Sequence, residues 1–363
     1  MTIGIGRTFT AAVAAACAIF ALAAPATAQT LYTIAALDVN GCAPIELNDH
    51  ATVVGDCGAT AFRWQDGALT TLGRLPKGTY AEAWSVNNLG VAVGEGDTGD
   101  GRPDPILYRN GAVIDIDSSS ANARAIYVND AEVIVGNYLK GFSCACDWSA
   151  VIWTERTDKP GRFDRVALPP YPGGDPKVRY GYATGANQSI QVVGWVQSSL
   201  FGQYGAFWDH DPAHTLSLLL PLPSEWSSIA WGMNDLGQAV GESNGPAHGT
   251  RAVLWQADAG HTPVDLGTLP GDTLSVANHV NNLGQVIGVS ASAGGAMRPF
   301  LWENGRISEV GSLLDVSGAD WVIQSVSAIN NSGQMIGSGL YQGQPRAFLM
   351  TPAGALAPTP VGQ

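Results

Sequence analysis

The stretch Asn281-Asn-Leu-Gly-Gln-Val-Ile-Gly288 decides the fold, because its frame occurs seven times along the chain. In every copy an Asn is followed seven residues later by a Gly, and an apolar pair stands directly before that Gly. The other six copies run over Asn48–Gly55, Asn87–Gly94, Asn129–Gly136, Asn187–Gly194, Asn234–Gly241 and Asn330–Gly337. Self-similarity of this kind indicates a repeat architecture, in which each copy is one supersecondary unit.

Each copy predicts a hairpin of two buried strands. A short segment that ends on an apolar residue precedes the Asn, and the Asn is expected to open a tight turn by bonding to its own backbone. Four copies place Gly three residues after the Asn, where a positive φ is easily adopted, but Ala51, Glu132 and Ile190 occupy that position elsewhere. The apolar pair predicts a strand buried on both faces. The Gly that ends it indicates close approach of a neighbouring backbone.

Two further strands follow in each unit. The third segment ends on an aromatic residue in six copies and on Met in the seventh: Trp64, Tyr108, Trp153, Trp208, Trp255, Trp302 and Met350. Such regularly repeated aromatics are typical of the core between units. Asp66-Gly67, Asn110-Gly111 and Asn304-Gly305 come directly after it and are strong hairpin signals. A fourth apolar segment and a loop then lead into the next copy.

Four antiparallel strands in each of seven copies predict an all-β fold, a β-propeller of seven four-stranded blades. An open solenoid is the structural alternative, but it needs capping units at its ends, and none is visible. The last copy has no clear fourth strand, since Pro358 and Pro360 cannot donate to a sheet ladder. Residues Leu31–Leu37 read as an unassigned strand. We therefore expect this N-terminal strand to complete the last blade and close the ring.

The first 28 residues have the pattern of a secretory signal peptide. Arg7 precedes the apolar run Ala11–Ala24, and Ala26-Thr27-Ala28 supplies the small residues of a cleavage site before Gln29. The run is short for a spanning helix, and the residues around Cys17 do not form a lipoprotein signal. The sequence predicts an exported protein, extracellular or periplasmic, with the propeller at 29–351 and a Pro-rich tail at 352–363.

Charge and composition exclude some partners. The net charge is −13, and binding to nucleic acid requires clustered Lys and Arg. We expect no nucleic-acid partner, no membrane insertion after cleavage of the signal, no cofactor and no metal, and a monomer. The ligand is expected to be extracellular, a glycan or a protein.

The best copies of the frame carry a family resemblance. Ser275–Gly288, Arg298–Trp302, Asp265-Leu-Gly-Thr-Leu269 and Ser325–Gly337 resemble the repeats of the bacterial extracellular HAF-repeat family. The resemblance covers nearly all of Leu31–Met350 and implies an exported repeat protein of propeller-like build. One departure is plain, because Arg251, Arg298 or Arg346 stands where the family has the His that names it. The resemblance brings no catalytic residues with it.

The cysteines of the exported chain form two pairs. Cys42 and Cys57 flank the first hairpin symmetrically, which predicts a cross-strand disulfide in an oxidising compartment. Cys144 and Cys146 lie two residues apart, so they either form a strained loop disulfide or stay reduced. Two thiols with no His pair nearby are too few for a zinc site.

Two other loops contain several Asp or His residues but do not match a recognised site motif. Asp97, Asp100 and Asp104 lie in a Gly-rich loop, yet their spacing does not match a calcium loop of the EF-hand type, and we expect solvated loop acids. Asp209–His214 follows a blade strand and shows no recognised motif. No nucleophile elbow, zinc-protease helix or phosphate loop is present. Catalytic carboxylates brought together from different blades would leave no mark in the sequence.

Ligand contacts are predicted where the copies differ. Trp84 and Trp231 both stand three residues before the Asn, a position expected to line one mouth of the ring. The longest spacer, Thr154–Tyr182, carries Tyr171, Tyr180 and Tyr182, and long loops on a rigid scaffold often bind ligands. The first hypothesis is a non-enzymatic binding or scaffold module for an extracellular ligand or surface polymer. The alternative is a hydrolase or lyase acting on carbohydrate, with acids from several blades on one face.

Overall fold

The computed structural model describes residues 30–39, 41–118, 122–139, 148–172, 181–198 and 202–354. These residues form seven four-stranded antiparallel sheets arranged in a ring, so the predicted seven-bladed β-propeller is confirmed. The predicted signal peptide, Cys144, Cys146 and Tyr180 lie outside the described residues, and so does most of the predicted tail.

The blades follow the chain in order, each with its inner strand first. Blades 1 to 3 contain β2–β5 (Ala43–Leu47, Val53–Asp56, Ala61–Gln65, Ala68–Gly73), β6–β9 (Ala81–Val86, Ala92–Gly96, Asp104–Arg109, Ala112–Asp115) and β10–β13 (Ala123–Val128, Ile134–Leu139, Trp148–Glu155, Phe163–Ala167). Blades 4 and 5 contain β14–β17 (Gly181–Ala186, Val192–Ser198, Gly202–Trp208, Leu216–Leu219) and β18–β21 (Ser227–Met233, Ala239–Gly245, Gly249–Trp255, Pro263–Gly267). Blade 6 contains β22–β25 (Leu274–Val280, Val286–Ala291, Met297–Glu303, Arg306–Glu309), and two 3-10 turns (Val310–Leu313, Val316–Gly318) lead to blade 7.

The last blade is completed by the N-terminal strand. Blade 7 has β26 (Trp321–Ile329), β27 (Met335–Tyr341) and β28 (Gln344–Pro352), and β1 (Tyr32–Leu37) pairs antiparallel with β28 as its outer strand. Tyr32 is fully buried in the core cluster between blades 6 and 7. The predicted closure is therefore confirmed, with the first and last parts of the chain in one sheet.

The repeated Asn does more than open a turn. Its side-chain oxygen accepts hydrogen bonds from backbone N–H groups of its own turn, as Asn281 does from Leu283 and Gln285 at 3.1 and 3.0 Å. Its Nδ2 reaches the next blade: Asn281 donates to the carbonyl of Asn330 at 2.9 Å, and Asn330 donates to that of Asn48 at 3.0 Å. All seven copies make this inter-blade bond, which closes a ring of hydrogen bonds around the axis.

One step of this ring is irregular. Asn129 of blade 3 donates to the carbonyl of Gln188, one residue beyond the equivalent acceptor. At the same interface Asn137 holds the backbone of Ala183 through two hydrogen bonds of 2.8 Å. An extra pair of contacts therefore secures the blade 3 to blade 4 junction.

A second ring runs through the residue after each Asn. Its backbone N–H donates to the side-chain oxygen of the equivalent residue in the next blade, for example from Asp235 to Asn282 at 2.9 Å. The ring closes from Asn331 back to Asp49, also at 2.9 Å. Its members are Asp49, Asn88, Asp130, Gln188, Asp235, Asn282 and Asn331. The turns of neighbouring blades are thus linked twice.

Turn and Gly positions follow the predicted geometry closely. The residue three after the Asn takes a positive φ in every copy, including Ala51 (56°), Glu132 (57°) and Ile190 (60°) where Gly is missing. The Gly seven after the Asn is packed against the inner strand of its own blade. A Cβ on Gly288 would overlap the carbonyl oxygen of Val276, and all seven copies share such a clash. The predicted close backbone approach is confirmed.

The hydrophobic core is divided among the blade interfaces. Seven clusters of buried residues are each shared by two neighbouring blades. Val53 packs towards blade 7 and Val54 towards blade 2, which explains why the second strand is apolar on both faces. Trp153, Trp208 and Trp255 are fully buried in these clusters, as the repeated aromatics predicted.

The first hairpin carries the predicted disulfide, Cys42–Cys57, with its Cα atoms 4.3 Å apart. Cys42 and Cys57 are brought opposite each other by two shifts of the strand register in opposite directions. The turn pairs Leu47 with Val53, and a β-bulge at Ile45 moves the register back by one residue. A bulge recurs at this position, three before the Asn, in all seven inner strands.

Candidate functional site

The inner strands surround an axial cavity of about 200 Å³. Residues two and three before the Asn line its wall, and the turn residues line its mouth. Trp231 lines this cavity and is 37% exposed, as expected for a residue at the bulge. Thr184 and Ile126 are its counterparts in blades 4 and 3.

Two titratable side chains meet inside the cavity. Oε2 of Glu46 in blade 1 lies 3.9 Å from Nδ1 of His279 in blade 6. Burial raises the pKa of Glu46 to about 8 and lowers the pKa of His279 to about 4. Both shifts favour the uncharged forms, so near neutral pH the pair is a contact between neutral groups.

A larger polar and aromatic assembly lies towards the other end of the ring, where the inner strands begin. The guanidinium of Arg124 lies over the rings of Trp84 and Trp148, at 5.8 and 5.5 Å from their centroids. Trp148 contacts Tyr182 edge-on at 5.7 Å, and Tyr182 stacks on Trp195 at 5.7 Å with 16° between the planes. These five residues, from blades 2, 3 and 4, are called the Arg124 cluster here.

The repeat explains why these side chains meet. Arg124 and Tyr182 stand five residues before the Asn of their blades, and Trp195 stands eight residues after it on the second strand. Tyr182 and Trp195 are direct cross-strand partners. Arg124 lies on the inner strand of blade 3 and faces the second strand of blade 2, which brings neighbouring blades into one continuous surface.

Carboxylates border the Arg124 cluster on the blade 2 side. Arg124 is ion-paired with Glu95 (Nε to Oε2, 2.9 Å), and the indole N–H of Trp84 donates to Glu82 at 2.8 Å. Burial raises the pKa of Glu95 to about 7, with Arg124 acting in the opposite direction. The hydroxyl of Tyr80 donates to Glu95 at 3.5 Å. The only described cation of the cluster is thus paired with an acid.

The predicted ligand residues are distributed over three places. Trp84 and Tyr182 both belong to the Arg124 cluster, whereas Trp231 lines the axial cavity. Tyr171 is partly buried against the core cluster between blades 3 and 4, and Tyr180 is not described. The sequence reading missed Arg124, Trp148, Trp195 and Glu95; positions five before and eight after the Asn were the signal that identifies most of them.

The first and last blades are different at the same level of the ring. Small residues occupy the positions that carry Arg124, Tyr182 and Trp195 elsewhere, and a groove of about 640 Å³ lies between these two blades. Ala43 and Ser325 line it at the position five before the Asn. None of the described residues that line this groove is aromatic, so the aromatic surface of the Arg124 cluster does not extend to it.

Two of the three loop acids of blade 2 are buried, contrary to the expectation from sequence. Asp97 is fully buried and Asp104 nearly so, while Asp100 is exposed. Burial raises the pKa of Asp97, but hydrogen bonds from the N–H groups of Thr79, Tyr80 and Gly101 outweigh this and hold the pKa below its ordinary value. Hydrogen bonds from the loop backbone to the buried Asp97 carboxylate therefore hold the loop in its conformation.

The described residues show neither a metal-binding group nor a membrane-spanning helix. Within the described ranges, no group of three or more His, Cys, Asp or Glu side chains is placed to hold a metal ion. The same part of the chain has no helix with the length and apolarity needed to cross a bilayer.

No family model matches the sequence, and no curated protein matches it. Solved structures do share its fold. The β-propeller domain of the Trilobed protease from Pyrococcus furiosus aligns with a TM-score of 0.52 at 10% identity, over 91% of this chain and 99% of that domain. That domain has been described as having an open velcro topology, whereas here β1 pairs with β28 of the last blade.

Two peptidases are similar over part of their length. A puromycin-hydrolyzing peptidase of Mycobacterium tuberculosis has a TM-score of 0.50 at 13% identity, over 88% of this chain and 52% of that one. A prolyl endopeptidase has a TM-score of 0.52 at 9% identity, over 89% of this chain and 50% of its own. The chain thus spans about half the length of these peptidases. At such identities the similarity establishes the propeller fold alone.

Proposed function

We propose that the protein is an exported, non-enzymatic binding module of the HAF-repeat type, which holds an uncharged polymer such as a glycan chain. The observation that carries this proposal is the Arg124 cluster, in which half-buried aromatic rings from three blades form one surface at one end of the ring. Export rests on the predicted signal peptide and is supported by the Cys42–Cys57 disulfide, since such bonds persist in oxidising compartments.

The chemistry of the cluster favours a neutral ligand. Aromatic rings offer large apolar faces, and a few polar groups beside them orient what binds there. Arg124 is paired with Glu95, and Glu82 adds a second carboxylate, so an anionic polymer would meet no unpaired cation in the described surface. The rings of sugars present apolar faces edged by hydroxyl groups, and they suit such a surface.

Thermal unfolding with neutral oligosaccharides tests this proposal. A ligand that binds only the folded protein must raise the unfolding midpoint. We expect a rise with at least one neutral oligosaccharide, and affinity two- to tenfold weaker in Trp84→Ala and in Tyr182→Ala, because an aromatic contact is worth roughly 0.5–1.5 kcal/mol. Trp226→Ala is the matched control, since Trp226 is 67% exposed and outside the cluster.

The binding proposal fails if no neutral oligosaccharide changes the midpoint. It also fails if both cluster variants bind as tightly as the unsubstituted protein.

The enzymatic alternative has one specific observation in its favour. Glu82 and Glu95 are direct cross-strand partners beside the Arg124 cluster, and burial raises the pKa of Glu95 to about 7. A carboxylic acid with such a pKa next to a second carboxyl group resembles the acid and base of a glycoside hydrolase. On this alternative, Glu95 protonates the leaving oxygen and Glu82 acts as base or nucleophile.

Release of reducing sugar separates the two functions. If the protein is an enzyme, Glu95→Gln should abolish turnover while oligosaccharide binding persists. If it is a binding module, no reducing sugar is released by the unsubstituted protein, and Glu95→Gln leaves the midpoint shift in place.

A further inference from the structure

Three leucines are exposed on the face of the ring formed by the Asn turns. Leu89, Leu236 and Leu283 stand two residues after the Asn of blades 2, 5 and 6, and they are 66%, 61% and 66% exposed. This face lies at the opposite end of the inner strands from the Arg124 cluster. Together with the mouth of the axial cavity, these leucines form what we call the turn face.

The turn itself does not require Leu at this position. In the copies that have Leu, the Leu N–H donates to the side-chain oxygen of the Asn. His50, Ser189 and Ser332 make the same bond in their own copies, at 3.0, 3.1 and 3.1 Å. The Leu side chain therefore adds nothing to the turn, while it exposes apolar surface to water. Leu236 and Leu283 lie on neighbouring blades, and exposed apolar side chains on one face are available for contact with a partner.

The centre of the turn face is acidic. Asp49, Asp130 and Asp235 belong to the second hydrogen-bond ring at the mouth, and they point their carboxylates at neighbouring turns. Among the described residues that line the mouth and cavity, none is Lys or Arg. Farther from the axis, the guanidinium of Arg63 lies beside the Gly90 turn, and Arg109 is bridged to two glutamates.

We propose that the turn face docks a basic, amphipathic segment of another protein. A Lys or Arg of that segment enters the mouth towards the three aspartates, and its apolar side chains cover the exposed leucines. Charge complementarity selects this partner over a second copy of the chain, since two turn faces would bring like charges together at their centres. The proposal does not depend on the ligand of the Arg124 cluster, because the two surfaces lie at opposite ends.

The repeat supplies fold-compatible variants for the test. Leu89→Ser, Leu236→Ser and Leu283→Ser, made together, introduce the residue found at this position in Ser189 and Ser332. Asp130→Asn and Asp235→Asn introduce the residue found at Asn88, Asn282 and Asn331, and the ring already accommodates Asn282 beside Asn331. The triple Leu variant should unfold at the same temperature as the parent. The double Asp variant loses the bonds from Nδ2 of Asn88 and Asn282 to these carboxylates and should unfold at a slightly lower temperature while remaining folded under the conditions of the test.

The probe is a short labelled peptide of Lys and Leu, titrated with the mature protein and followed by fluorescence anisotropy. We expect binding that weakens about tenfold in the triple Leu variant and in the double Asp variant, and also at high salt, because one close charge pair or a few buried apolar groups is worth at least about 1.4 kcal/mol. A peptide in which Glu replaces Lys should not bind.

Matched substitutions elsewhere control for the overall negative charge. Asp100→Asn with Asp320→Asn, and Leu220→Ser with Leu274→Ser, change exposed positions at the opposite end of the ring from the turn face and should leave the affinity within about twofold. Equal weakening by these controls overturns the proposal, as does the absence of peptide binding. A concentration-dependent dimer that the Leu→Ser substitutions dissociate would also overturn it, in favour of self-association.

Discussion

Replacement of Asn234 by Ala removes one link from the inter-blade ring. The Asn234 side chain accepts hydrogen bonds from the N–H groups of Leu236 and Gln238 at 3.1 and 2.9 Å. It donates to the carbonyl of Asn281 in the next blade at 3.0 Å and to Oε1 of Gln238 at 2.8 Å. Asn234 is only 3% exposed, so water cannot readily replace these partners.

The cost follows from the groups left without partners. An unpaired buried donor costs about 1–3 kcal/mol. The N–H groups of Leu236 and Gln238 lose their side-chain acceptor, while the carbonyl of Asn281 keeps only the bond from the N–H of Gly284. We therefore expect Asn234→Ala to lower the free energy of unfolding by about 3 kcal/mol, as measured by urea denaturation. Hydrogen exchange should rise at Leu236 and Gln238 and across the interface between blades 5 and 6.

Asn244→Ala is the matched control. Asn244 is partly buried and bonds only within its own blade, to Glu242 and Thr250, so its loss should cost less than about 1 kcal/mol. If Asn234→Ala is no more damaging than this control, the ring does not hold the blades together.

The conservative variant Asn234→Asp tests the same inter-blade bond through the pH dependence of stability. Asn234→Asp keeps the accepting oxygen but turns a second oxygen towards the carbonyl of Asn281, which raises the pKa of the new carboxyl above its usual value of about 3.9. The variant should be most stable below about pH 4, where the carboxyl is protonated in both folded and unfolded states. Its stability should then fall as pH rises through the folded-state pKa, and a flat profile relative to the parent would refute the contact.

Three further changes have defined outcomes. Gly288→Ala forces a Cβ into the carbonyl of the inner strand and should cost about 3 kcal/mol in urea unfolding, while exposed Gly260→Ala should cost under about 1 kcal/mol. Cys42→Ser with Cys57→Ser opens a loop of 15 residues and should cost about 3 kcal/mol, a loss that reductant reproduces in the parent. Deletion of residues 31–37 should abolish exchange protection in blade 7 but spare blade 4, and unchanged protection in blade 7 would show that β1 does not close the ring.

Much of the scaffold was predictable because its signals are local. The turn, the buried pair and the hairpin signals each fall within about ten residues, and sevenfold repetition made them specific. The cross-strand disulfide was also predicted, although the reasoning assumed a simple hairpin. In fact the longer turn and the bulge at Ile45 shift the register in opposite directions, and the two shifts cancel.

The inter-blade hydrogen bonds were not predicted, because their partners lie on different repeats. Asn48 bonds to Asn87, 39 residues away, while Asn330 bonds to Asn48, 282 residues away. One signal was available: the residue after the Asn has a side-chain oxygen in all seven copies. Polar residues are common at turns, so this regularity was interpreted as ordinary turn composition.

The candidate sites were only half predictable for a related reason. Trp84 and Tyr182 were found because they differ between copies, but their contact depends on Arg124 and Trp148 of the blade between them. The buried state of Asp97 was wrongly predicted, because an acid in a Gly-rich loop gives no local sign that backbone N–H groups will surround it.

Positions that are the same in every copy of the repeat serve folding, whereas positions that vary between copies are available for recognition. The Asn and the Gly seven residues later are the same in every blade, because the Asn bonds to the neighbouring blade and the Gly lets the second strand pack closely against the inner strand of its own blade. Positions five before and two after the Asn have no such requirement, and they change from Arg124 to Ser325 and from Leu283 to Ser332. These variable positions are grouped on the ring: the aromatic contacts of the Arg124 cluster lie in blades 2 to 4, and small residues flank the groove between blades 7 and 1. A ligand of the Arg124 cluster should therefore bind off the axis, over blades 2 to 4, while the turn face at the opposite end remains free for a partner.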